Sequence, residues 1–420
     1  MSVIYFGISS EEHIGKKIKN WISITGKPDI FAERDDHVDK YKKKLLGKYR
    51  VVSIDEALRR YPDANVWVTF GVPAYIPELL ASKMPPERIH FLAADLEYRN
   101  GCPYLGNYIV YAKDYFTPCS VGGRSPIYNT SGTVRERLTQ WRNDITNLID
   151  DIRCDRPNKC QGCHIIKPGF WRKSVAINVW CFAVSNPGDV CNFRCTYCYS
   201  RNSLERLKQE KHDRAPGEFT TYEILQQLAE MPEYNTESFE IRLANGEFCA
   251  NKHCNEMLDI LLKTKWRIFL SSNCSIYREK LAEFMLTGRI NDLVTSIDAG
   301  TRETFKKIKQ NDMFDKVVEN LKKYPVNKTR LTLKYIFLDG VNDNETDIDG
   351  FYDIAKEVGC KIIMLDNNIM ENFTLFTDKM RELTLRIIKK AKADGIFVQP
   401  GTKTLNPIDD KFIRDSYSSM

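Results

Sequence analysis

The sequence predicts an α/β protein in which a small parallel-sheet domain precedes a partial barrel of six strand–helix units. Two series of short apolar runs that alternate with amphipathic stretches lead to this prediction, one over residues 1–95 and one over residues 174–400. The stretch between them, residues 96–173, is less regular and carries several cysteines, so we treat it as a connector. Residues 401–420 are expected to form a polar C-terminal tail.

The first series has the order of a Rossmann-like domain. Its apolar runs predict four strands, with the sequences VIYFGI, PDIFAE, VWVTFGV and RIHFLA. The helical patterns between them are IDEALRRY, IPELLASK and EEHIGKKIKNWISI, the last of which places Ile14, Ile18, Trp21 and Ile22 on one face. Alternating strands and helices imply a parallel sheet covered by helices. The turn after the first strand lacks the G-x-G-x-x-G pattern, which makes dinucleotide binding a weak prediction.

The connector holds a candidate second metal site. Cys154, Cys160 and Cys163 lie close together in sequence, Cys119 lies upstream, and His164 adjoins the last of them. The C-x-x-C spacing suits a metal, and four donors would serve either a second iron–sulfur cluster or zinc. Cysteines near a domain junction are also often small buried apolar residues that bind no metal. All three interpretations stay open at this point.

The second series predicts the barrel. Its apolar runs alternate with helical stretches such as EILQQLAEM, CNEMLDILLKT and YREKLAEFML. The six predicted strands are VAINVWCFAV, SFEIRLAN, WRIFLSSN, DLVTSIDA, TRLTLKYIFLDG and CKIIMLDNN. A further run, GIFVQP near residue 397, would extend the same sheet.

Polar residues stand where the predicted barrel strands end. They are Asn245, Gly246 and Glu247 after the second strand, Ser271, Ser272 and Asn273 after the third, Ser296 to Asp298 after the fourth, and Asp366 to Asn368 after the sixth, with Lys334 within the fifth. Functional groups of such barrels collect at the carboxyl ends of the strands. Any one of these residues can be a simple turn former. Several such strand ends at one mouth favour a binding site.

Three cysteines follow the first barrel strand in the segment CNFRCTYCYS. Cys191, Cys195 and Cys198 have the spacing C-x-x-x-C-x-x-C. A closed structural zinc site takes four ligands, and so does an ordinary ferredoxin cluster. Three thiolates therefore predict a metal centre that keeps one coordination position open.

This cysteine motif after the first strand of a partial βα barrel resembles the radical S-adenosylmethionine (radical SAM) superfamily. The segment EIRLANGEF is similar to the family's glycine-glycine-glutamate segment, with Asn245 at the place of the first glycine, and LKYIFLDGVND is similar to the molybdenum-cofactor-cyclase branch. The resemblance implies that Cys191, Cys195 and Cys198 bind three irons of a [4Fe–4S] cluster. It also implies that SAM binds the fourth iron and is cleaved reductively to a 5′-deoxyadenosyl radical, which abstracts hydrogen from a substrate.

The same resemblance implies roles in binding SAM. Glu247, with the backbone of Asn245 and Gly246, would hold the ammonium group, and Lys334 would pair with the carboxylate. Tyr197 would pack near the cluster and the adenine. Further contacts, to the ribose or the methionine moiety, are expected from Ser271, Ser272, Asn273, Ser296 and Asp298.

A reductant and a substrate are implied as partners. Because cluster potentials reach down to about −700 mV, the enzyme would need a low-potential electron donor of the flavodoxin or ferredoxin type. Arg242, Asp366 and Asn368 are the candidates for catalytic contacts with the substrate, which is expected to be a small molecule.

The composition excludes some classes of protein. Lys and Arg number 62 against 56 Asp and Glu, and the only dense basic run is KYKKKLLGK, so a nucleic-acid binder is not expected. Neither a signal peptide nor an apolar stretch of membrane-spanning length is apparent, so we expect no membrane span and a cytoplasmic location. The six remaining cysteines are best explained as packing residues; they are Cys102, Cys181, Cys249, Cys254, Cys274 and Cys360.

The substrate class has more than one candidate. Glu33, Asp35 and Asp36 follow the second strand of the Rossmann-like domain, where a carboxylate can accept hydrogen bonds from ribose or sugar hydroxyls. This domain loosely resembles those beside enzymes of nucleotide-sugar metabolism, which suggests a carbohydrate or nucleotide-sugar substrate. A purely structural or partner-docking domain is an equal alternative. The competing functions are a peptide- or protein-modifying radical SAM enzyme and a non-catalytic iron–sulfur regulator.

Overall fold

Two compact units make up the chain, and each consists of two segments. The first unit comprises Met1–Leu105 and Ile145–Ile177, and the second comprises Gly106–Asp144 and Asn178–Met420. The computed structural model describes residues 2–7, 11–34, 38, 45–46, 49–69, 75–92, 96–102, 105–112, 115–119, 128–129, 132–163, 166–172, 177, 179–184, 190–198, 219–326, 330–368, 374–401 and 405–419.

Numbered along the chain, the strands of the first unit are β1 (Val3–Phe6), β2 (Ile30–Glu33), β3 (Val51–Ser53), β4 (Asn65–Val68), β5 (Ile89–Phe91), β6 (Leu96–Gly101) and β10 (Lys167–Arg172). Its helices are α1 (Glu11–Thr25), α2 (Ile54–Arg60), α3 (Tyr75–Ala81) and a short 3₁₀ helix, Pro86–Arg88. Helix α4 (Val134–Arg153) begins in the second unit and ends in the first.

Five strands of the first unit form one parallel sheet in the order β3-β2-β1-β4-β5. The four strands predicted from the sequence are all present, and the strand order matches the first five positions of the Rossmann order 3-2-1-4-5-6. Strand β3 escaped prediction because its three residues carry too short an apolar signal. Strands β6 and β10 pair separately in antiparallel register, with Arg99 opposite Gly169.

Both faces of this sheet are buried, which is the rule for parallel sheets covered by helices. Side chains alternate along β1, so that Ile4 and Phe6 pack in one apolar layer while Val3 and Tyr5 pack in the other. Residues of α2 and α3 complete the first layer. The second layer contains Ile14, Ile18 and Trp21 of α1, the predicted helical face, with Ile22 half-buried at its edge.

Within the described residues, the second unit contains one sheet of ten strands. These are β7 (Tyr108–Ala112), β8 (Tyr115–Thr117), β9 (Tyr128–Asn129), β11 (Cys181–Val184), β12 (Glu240–Leu243), β13 (Arg267–Ser271), β14 (Ile290–Ser296), β15 (Leu331–Phe337), β16 (Ile362–Asn367) and β17 (Phe397–Pro400). Their order is β17-β16-β15-β14-β13-β12-β11-β7-β8-β9. Every pair from β17 to β7 is parallel, and β8 and β9 add on in antiparallel fashion.

The further helices of the second unit are α5 (Thr221–Ala229), α6 (Cys254–Lys263), α7 (Glu279–Leu286), α8 (Arg302–Lys309), α9 (Phe314–Lys323), α10 (Glu345–Glu357), α11 (Asp378–Ala393) and α12 (Pro407–Ser419), with a 3₁₀ helix at Phe248–Ala250. All six predicted barrel strands and the seventh run are therefore present, with helices between them. The curvature of a partial barrel stays a prediction. None of the helices in the described ranges has the length and hydropathy that crossing a membrane requires.

Two parts of the chain are organised differently from the prediction. The connector is divided: β7 joins the sheet of the second unit by pairing with β11, whereas residues 145–177 belong to the first unit. The expected polar tail contains helix α12, which is anchored by buried Ile413 and by the fully buried Asp409. The Asp409 carboxylate accepts hydrogen bonds from the Phe376 N–H at 2.7 Å and from Arg381. Because Asp409 and Ile413 are four residues apart, a helix brings both to the same buried side.

The two faces of the ten-stranded sheet differ in exposure. On one face, Leu243, Ile268 and Leu270 are buried and line an apolar void with Leu258 of α6 and Phe284 of α7. On the other face, partly exposed side chains recur at alternate positions of neighbouring strands: Arg242, Phe269, Ser271, Ser296, Lys334, Met364 and Gln399. We call this second face the accessible face. Ser296, Lys334, Met364 and Gln399 are consecutive partners in the strand register and form one row across it.

Candidate functional site

The predicted cluster ligands lie on one short segment, residues 190–198, which we call the cysteine loop. Cys191 is exposed, and Cys195 and Cys198 are half-buried. A turn in which the Cys198 N–H donates to the Cys195 carbonyl at 3.1 Å ends the described part of the loop. Since the loop has no helix or strand of its own, contacts with neighbouring elements must fix its shape.

The end of α8 supplies one set of these contacts. The N–H of Thr196 donates to the Ile308 carbonyl at 2.9 Å, and the N–H of Arg194 donates to the Lys309 carbonyl at 3.2 Å. These two carbonyls belong to the last turn of α8, where an α-helix leaves its carbonyls without partners inside the helix. Gln310 ends the helix in the left-handed region with φ of 53°. The cysteine loop therefore completes the helix end.

Asn192 attaches the loop to the turn that follows β13. Its Nδ2 donates to Ser275 Oγ at 2.8 Å, and its Oδ1 accepts from Asn273 Nδ2 at 2.9 Å. Asn273 Oδ1 in turn accepts from the N–H and the hydroxyl of Ser275. The Asn192 carbonyl accepts from Asn311 Nδ2 at 3.2 Å. Asn273 was predicted as a cofactor contact, and the structure shows its side chain holding the loop.

Glu247 lies beside the loop at the end of β12. Its N–H donates to the Val190 carbonyl at 2.8 Å, and its side chain is 1% exposed. The carboxylate accepts from Ser272 Oγ at 2.8 Å, from the Asn273 N–H at 2.5 Å and from the Cys249 N–H at 3.1 Å. Burial raises the pKa of Glu247, and these donors oppose the rise. The predicted residues Glu247, Ser272 and Asn273 thus form one hydrogen-bonded group.

The residues before Glu247 leave room at the strand end. Gly246 has φ of 64°, a conformation that favours glycine. Asn245 and Glu247 line a small open pocket together with Val184, Thr221 and Met257. This pocket opens at the carboxyl end of β11 and β12, where ligands of parallel sheets bind.

The donor set of the loop fits an iron–sulfur cluster. The Cys191 thiol is shielded by its neighbours although the residue as a whole is exposed, and this desolvation raises its pKa to about 11. Negative charge on Glu247, Cys195 and Cys198 raises the same pKa further, which places the three thiols within electrostatic range of one another. Thiolates that repel one another in this way are stabilised by a cationic metal core.

A cluster and a single ion make different geometric demands. Across the described ranges, no three Cys, His, Asp or Glu side chains are grouped closely enough to hold one metal ion. The thiolates of a [4Fe–4S] cluster each bind a different iron, so the size of the cluster sets their separation. The ligand roles of Cys191, Cys195 and Cys198 stay a prediction.

Beneath the loop lies a buried polar network. Lys309 is 2% exposed and Asp298 is fully buried, and the lysine ammonium pairs with Asp298 Oδ2. Tyr197 donates its hydroxyl hydrogen to the same oxygen and accepts from Lys309 Nζ at 2.7 Å. Asp298 Oδ1 accepts from the Ile336 N–H at 2.8 Å. Burial and the charge of Asp298 hold the pKa of Tyr197 well above its ordinary value.

This network changes the expected role of Asp298. The sequence suggested a contact with the ribose or methionine moiety, whereas the structure places the carboxylate inside the protein with three donors. Burial raises the pKa of the Cys195 thiol, the charge of Lys309 lowers it, and the charge of Asp298 raises it. The network therefore lies within electrostatic range of a predicted cluster ligand.

Lys334 and Asp366, both predicted site residues, meet as an ion pair. Lys334 Nζ lies 2.6 Å from Asp366 Oδ2, with exposed side-chain fractions of 23% and 3%. Ser296 is the register partner of Lys334 on β14 and is half-buried beside it. Asn368 follows β16, where its N–H donates to Asn367 Oδ1 at 2.8 Å. A cation, a carboxylate and a hydroxyl thus meet on the accessible face.

Arg242 provides a second cation on the accessible face. Its Nε donates to Glu240 Oε1 at 2.6 Å, and its side chain is 33% exposed. The guanidinium lies over the rings of Phe269 and Tyr108, at 5.0 and 5.9 Å from their centroids. Glu240 also accepts from Asn291 Nδ2 at 2.7 Å. Arg242 is therefore held by packing and by one carboxylate, while part of it faces solvent.

The connector cysteines are divided between the two units. Cys154, Cys160 and Cys163 lie in the first unit, where the Cys163 N–H donates to the Cys160 carbonyl at 3.0 Å, and Cys119 lies in the second. His164, like Asp35 and Asp36, lies outside the described residues. The second cluster or zinc site stays a prediction. Five of the six cysteines expected to be packing residues are buried, and Cys102 is half-buried.

Lys309 and Asn192 are the site residues that sequence reasoning missed. Lys309 follows Phe305 and Ile308 on the buried face of α8, so a lysine at an apolar helical position was the available signal. Asn192 lies inside the cysteine motif, where no spacing or pattern distinguishes a structural residue from its neighbours. Both side chains serve the loop through contacts that are distant in sequence.

Comparison with known proteins gives the following matches. Residues 185–352 match the radical SAM superfamily. The crystal structure of Streptococcus suis SuiB is similar with 12% identity and a TM-score of 0.39, covering 66% of this chain and 56% of that one. A radical SAM methyltransferase from Sphaerobacter thermophilus has 13% identity and a TM-score of 0.37, covering 79% and 82%. TsrM from Kitasatospora setae has 10% identity and a TM-score of 0.31, covering 87% and 73%. No curated protein matches.

Proposed function

We propose that this chain, whose residues 185–352 match the radical SAM superfamily, is an enzyme of that superfamily and that it cleaves S-adenosylmethionine reductively at a [4Fe–4S] cluster held by Cys191, Cys195 and Cys198. The cluster, when bound, supplies the electron for this cleavage, and the 5′-deoxyadenosyl radical abstracts hydrogen from the substrate. The match to a superfamily of enzymes favours this function over that of a non-catalytic iron–sulfur regulator. The single observation that carries the proposal is the cysteine loop itself, which bears three cysteines and is hydrogen-bonded through Val190 to Glu247 at the carboxyl end of the sheet.

The residues around the loop fit the binding of SAM. Glu247 and Asn245 line the pocket beside the loop, which suits an ammonium group, and the backbone of Asn245 and Gly246 would supply further contacts. Lys334 offers a cation on the accessible face for the methionine carboxylate. Ser296, next to Lys334 in the strand register, and Ser271 supply further hydroxyls on this face.

The substrate would lie on the accessible face, near Arg242 and Asp366. Arg242 binds anionic or hydroxyl-bearing groups through the part of its guanidinium that faces solvent. Asp366 is paired with Lys334, so it orients the lysine as well as presenting an acceptor. Asn368, which directly follows the strand that carries Asp366, adds an amide that both donates and accepts hydrogen bonds.

A carbohydrate or nucleotide-sugar substrate is the class we propose for this site. Its support is the Rossmann-like order of the first unit, in which Glu33 ends β2. Glu33 is 5% exposed and its Oε1 accepts from the Arg34 N–H at 2.9 Å. A modified peptide or protein is the other candidate substrate. The electron donor is proposed to be a low-potential protein of the flavodoxin or ferredoxin type.

The experiment is anaerobic reconstitution of the full chain with iron and sulfide, followed by addition of reductant and SAM. Changing Cys191, Cys195 and Cys198 together to alanine should remove about four irons per chain. It should also abolish the formation of 5′-deoxyadenosine. The matched control changes Cys154, Cys160 and Cys163 to alanine, which removes as many thiols and should leave SAM cleavage in place. If the loop variant still forms 5′-deoxyadenosine, the ligand assignment is wrong.

Two further readouts come from the same samples. Iron that persists in the loop variant, together with its absorption, would indicate a second cluster in the connector, and an iron-free loop variant would leave zinc or no metal there. Nucleotide sugars and peptides added to the wild-type enzyme should differ in how strongly they stimulate 5′-deoxyadenosine formation. Stimulation by peptides alone would overturn the sugar proposal.

A further inference from the structure

We propose that Lys309, Asp298 and Tyr197 are positioning residues of the cluster, which fix the cysteine loop and whose buried charges set the cluster's reduction potential. The inference rests on the proposed function, since it concerns the cluster that the loop would hold. We call these three residues the buried triad.

The buried triad joins four elements under the loop. Tyr197 lies on the loop between Cys195 and Cys198, Asp298 follows β14, and Lys309 ends α8. Asp298 also accepts from the Ile336 N–H of β15. Because each member contacts the other two, movement of the loop would break the hydrogen bonds of a buried ion pair. Lys309 and Asp298 would then each lose the Tyr197 hydroxyl as a hydrogen-bond partner at a buried position, which is costly.

Stability alone does not explain a charged pair at this place. Desolvation of two ions offsets most of their attraction, and apolar side chains of similar volume often serve a core equally well. The apolar alternative is present on the same helix, where Phe305 and Ile308 are buried beside Lys309. Lys309 is the third buried residue of this helix, and packing alone does not require its charge. The charge therefore points to an electrostatic role.

The position of the two charges suggests what that role is. A [4Fe–4S] cluster becomes more negative when it is reduced, so a nearby cation favours the reduced state and a nearby carboxylate opposes it. Lys309 Nζ lies 5.0 Å from the centroid of the Tyr197 ring and 2.7 Å from its hydroxyl, so the cationic end faces the loop. Asp298 Oδ2 accepts from the Tyr197 hydroxyl of the loop and Oδ1 accepts from the Ile336 N–H of β15, so the carboxylate also lies against the loop. Charges are screened little at such buried positions.

The test measures the cluster's reduction potential by a spectroscopically monitored redox titration of the reconstituted full chain. Lys309→Met should lower the potential, because it removes the cation and leaves the carboxylate. Asp298→Asn should raise it, because the cation then remains alone. Lys309→Arg keeps the charge and should restore a value near that of the wild type. Lys307→Met, which removes an exposed lysine of the same helix, is the control and should leave the potential unchanged.

Iron release to a chelator reports on the positioning role. Tyr197→Phe removes one hydroxyl and no charge, so the potential should stay close to the wild-type value while iron is released about tenfold faster. The double variant Lys309→Met/Asp298→Asn leaves no unpaired buried charge and should fold even where a single variant does not. It should release iron faster than the wild type, with a potential between those of the two single variants.

The outcomes separate this inference from the proposed function. If the wild-type chain takes up no cluster, both are wrong. If it takes up a cluster and cleaves SAM, but the foldable variants all match the Lys307→Met control, the inference alone fails. Potentials that move in the same direction in Lys309→Met and Asp298→Asn would also overturn it. An electrostatic effect must change sign with the charge that is removed, so shifts of equal sign would indicate a structural effect.

Discussion

Asp298 shows how one residue can take on a role that its neighbours in sequence do not suggest. It has φ of 57°, a left-handed conformation that short polar side chains tolerate better than branched ones. This backbone turn directs the carboxylate back into the protein, toward Tyr197 and Lys309. The Asp298 carbonyl accepts from Asn342 Nδ2 at 2.8 Å, which fixes the turn from the other side. The conformation explains why a polar residue at a strand end need not face the ligand.

Lys334 and Asp366 give a prediction at the same scale. Lys334→Met deletes the cation proposed for the SAM carboxylate, so the affinity for SAM should fall by roughly 10- to 150-fold, the size of a charge-assisted hydrogen bond. Asp366→Asn retains the lysine charge and should bind SAM at least as well as the wild type. Calorimetric titration of SAM into the reconstituted full chain measures both. Equal SAM binding by Lys334→Met and the wild type would place the carboxylate elsewhere.

The residues of the site were predictable to different extents. The cysteine motif and Glu247 could be identified from the sequence because binding a metal or cofactor fixes the types and spacing of residues that lie close together in the chain. The pairing of Lys334 with Asp366 could not be predicted, since the register of β15 and β16 decides it. The role of Lys309 could not be predicted either, because it depends on a contact with the cysteine loop, which lies more than a hundred residues earlier in the chain. Sequence patterns therefore indicate the ligands more readily than the residues that hold them.

At the scale of elements, helix α10 and the turn after β14 approach each other closely through two glycines. A Cβ atom at Gly350 would collide with the backbone of Gly300, and one at Gly300 would collide with the backbone of Asp347. The Asp347 carboxylate accepts from the N–H groups of Gly300 and Thr301, at 3.0 and 3.2 Å. The turn after β14 is thus fixed by helix packing as well as by the buried triad.

This packing predicts opposite effects for one substitution at two helical positions. Gly350→Ala should destabilise the protein by about 1–3 kcal/mol, the usual cost of overpacking against backbone. Gly15→Ala in α1 places a Cβ at an ordinary contact, 3.4 Å from a methyl of Leu46, and should be neutral or stabilising by up to about 1 kcal/mol. Denaturant unfolding of both variants gives the comparison. A stable Gly350→Ala protein would mean that α10 can shift.

Strand β7 of the connector shows why some secondary-structure elements could not be predicted from the sequence. The run YIVYA in β7 is as apolar as several predicted strands, yet it stands among turn-forming residues and cysteines. What makes it a strand is parallel pairing with β11, some seventy residues later in the chain. Strand formation depends more on such partners than on intrinsic preference. The predicted barrel strands were clear because each is followed by a helix in regular alternation.

At the scale of the whole molecule, the chain alternates between its two units. The second unit takes β7, β8 and β9 from residues before the segment that completes the first unit. A boundary drawn at a single position, such as residue 174, therefore separates β11 from its neighbour β7. The two αβ series were visible in the sequence, and the interleaving was not, because it consists entirely of long-range pairing.

The interleaving predicts how truncated proteins behave. A chain of residues 174–420 leaves one edge of β11 without the pairing of β7, and an exposed edge in a sheet promotes association. We expect it to aggregate or to lose cooperative unfolding. A chain of residues 96–420 keeps the pairing of β7 with β11 and of β6 with β10, and should stay in solution with a cooperative transition. Size-exclusion chromatography and thermal melts distinguish the two, and identical behaviour would show that β7 is dispensable.

The hydrogen bonds between the cysteine loop and the end of α8 have a consequence for protein evolution and for the design of new cluster-binding proteins. Each segment supplies groups that the other lacks: the loop gains a shape, and the helix gains partners for its last carbonyls. A transplant of the eight-residue motif alone into another scaffold would arrive without its support. The smallest portable unit is the motif with a helix terminus, an asparagine-bearing turn and a buried acidic residue. Substitutions in these four segments should accordingly be selected together.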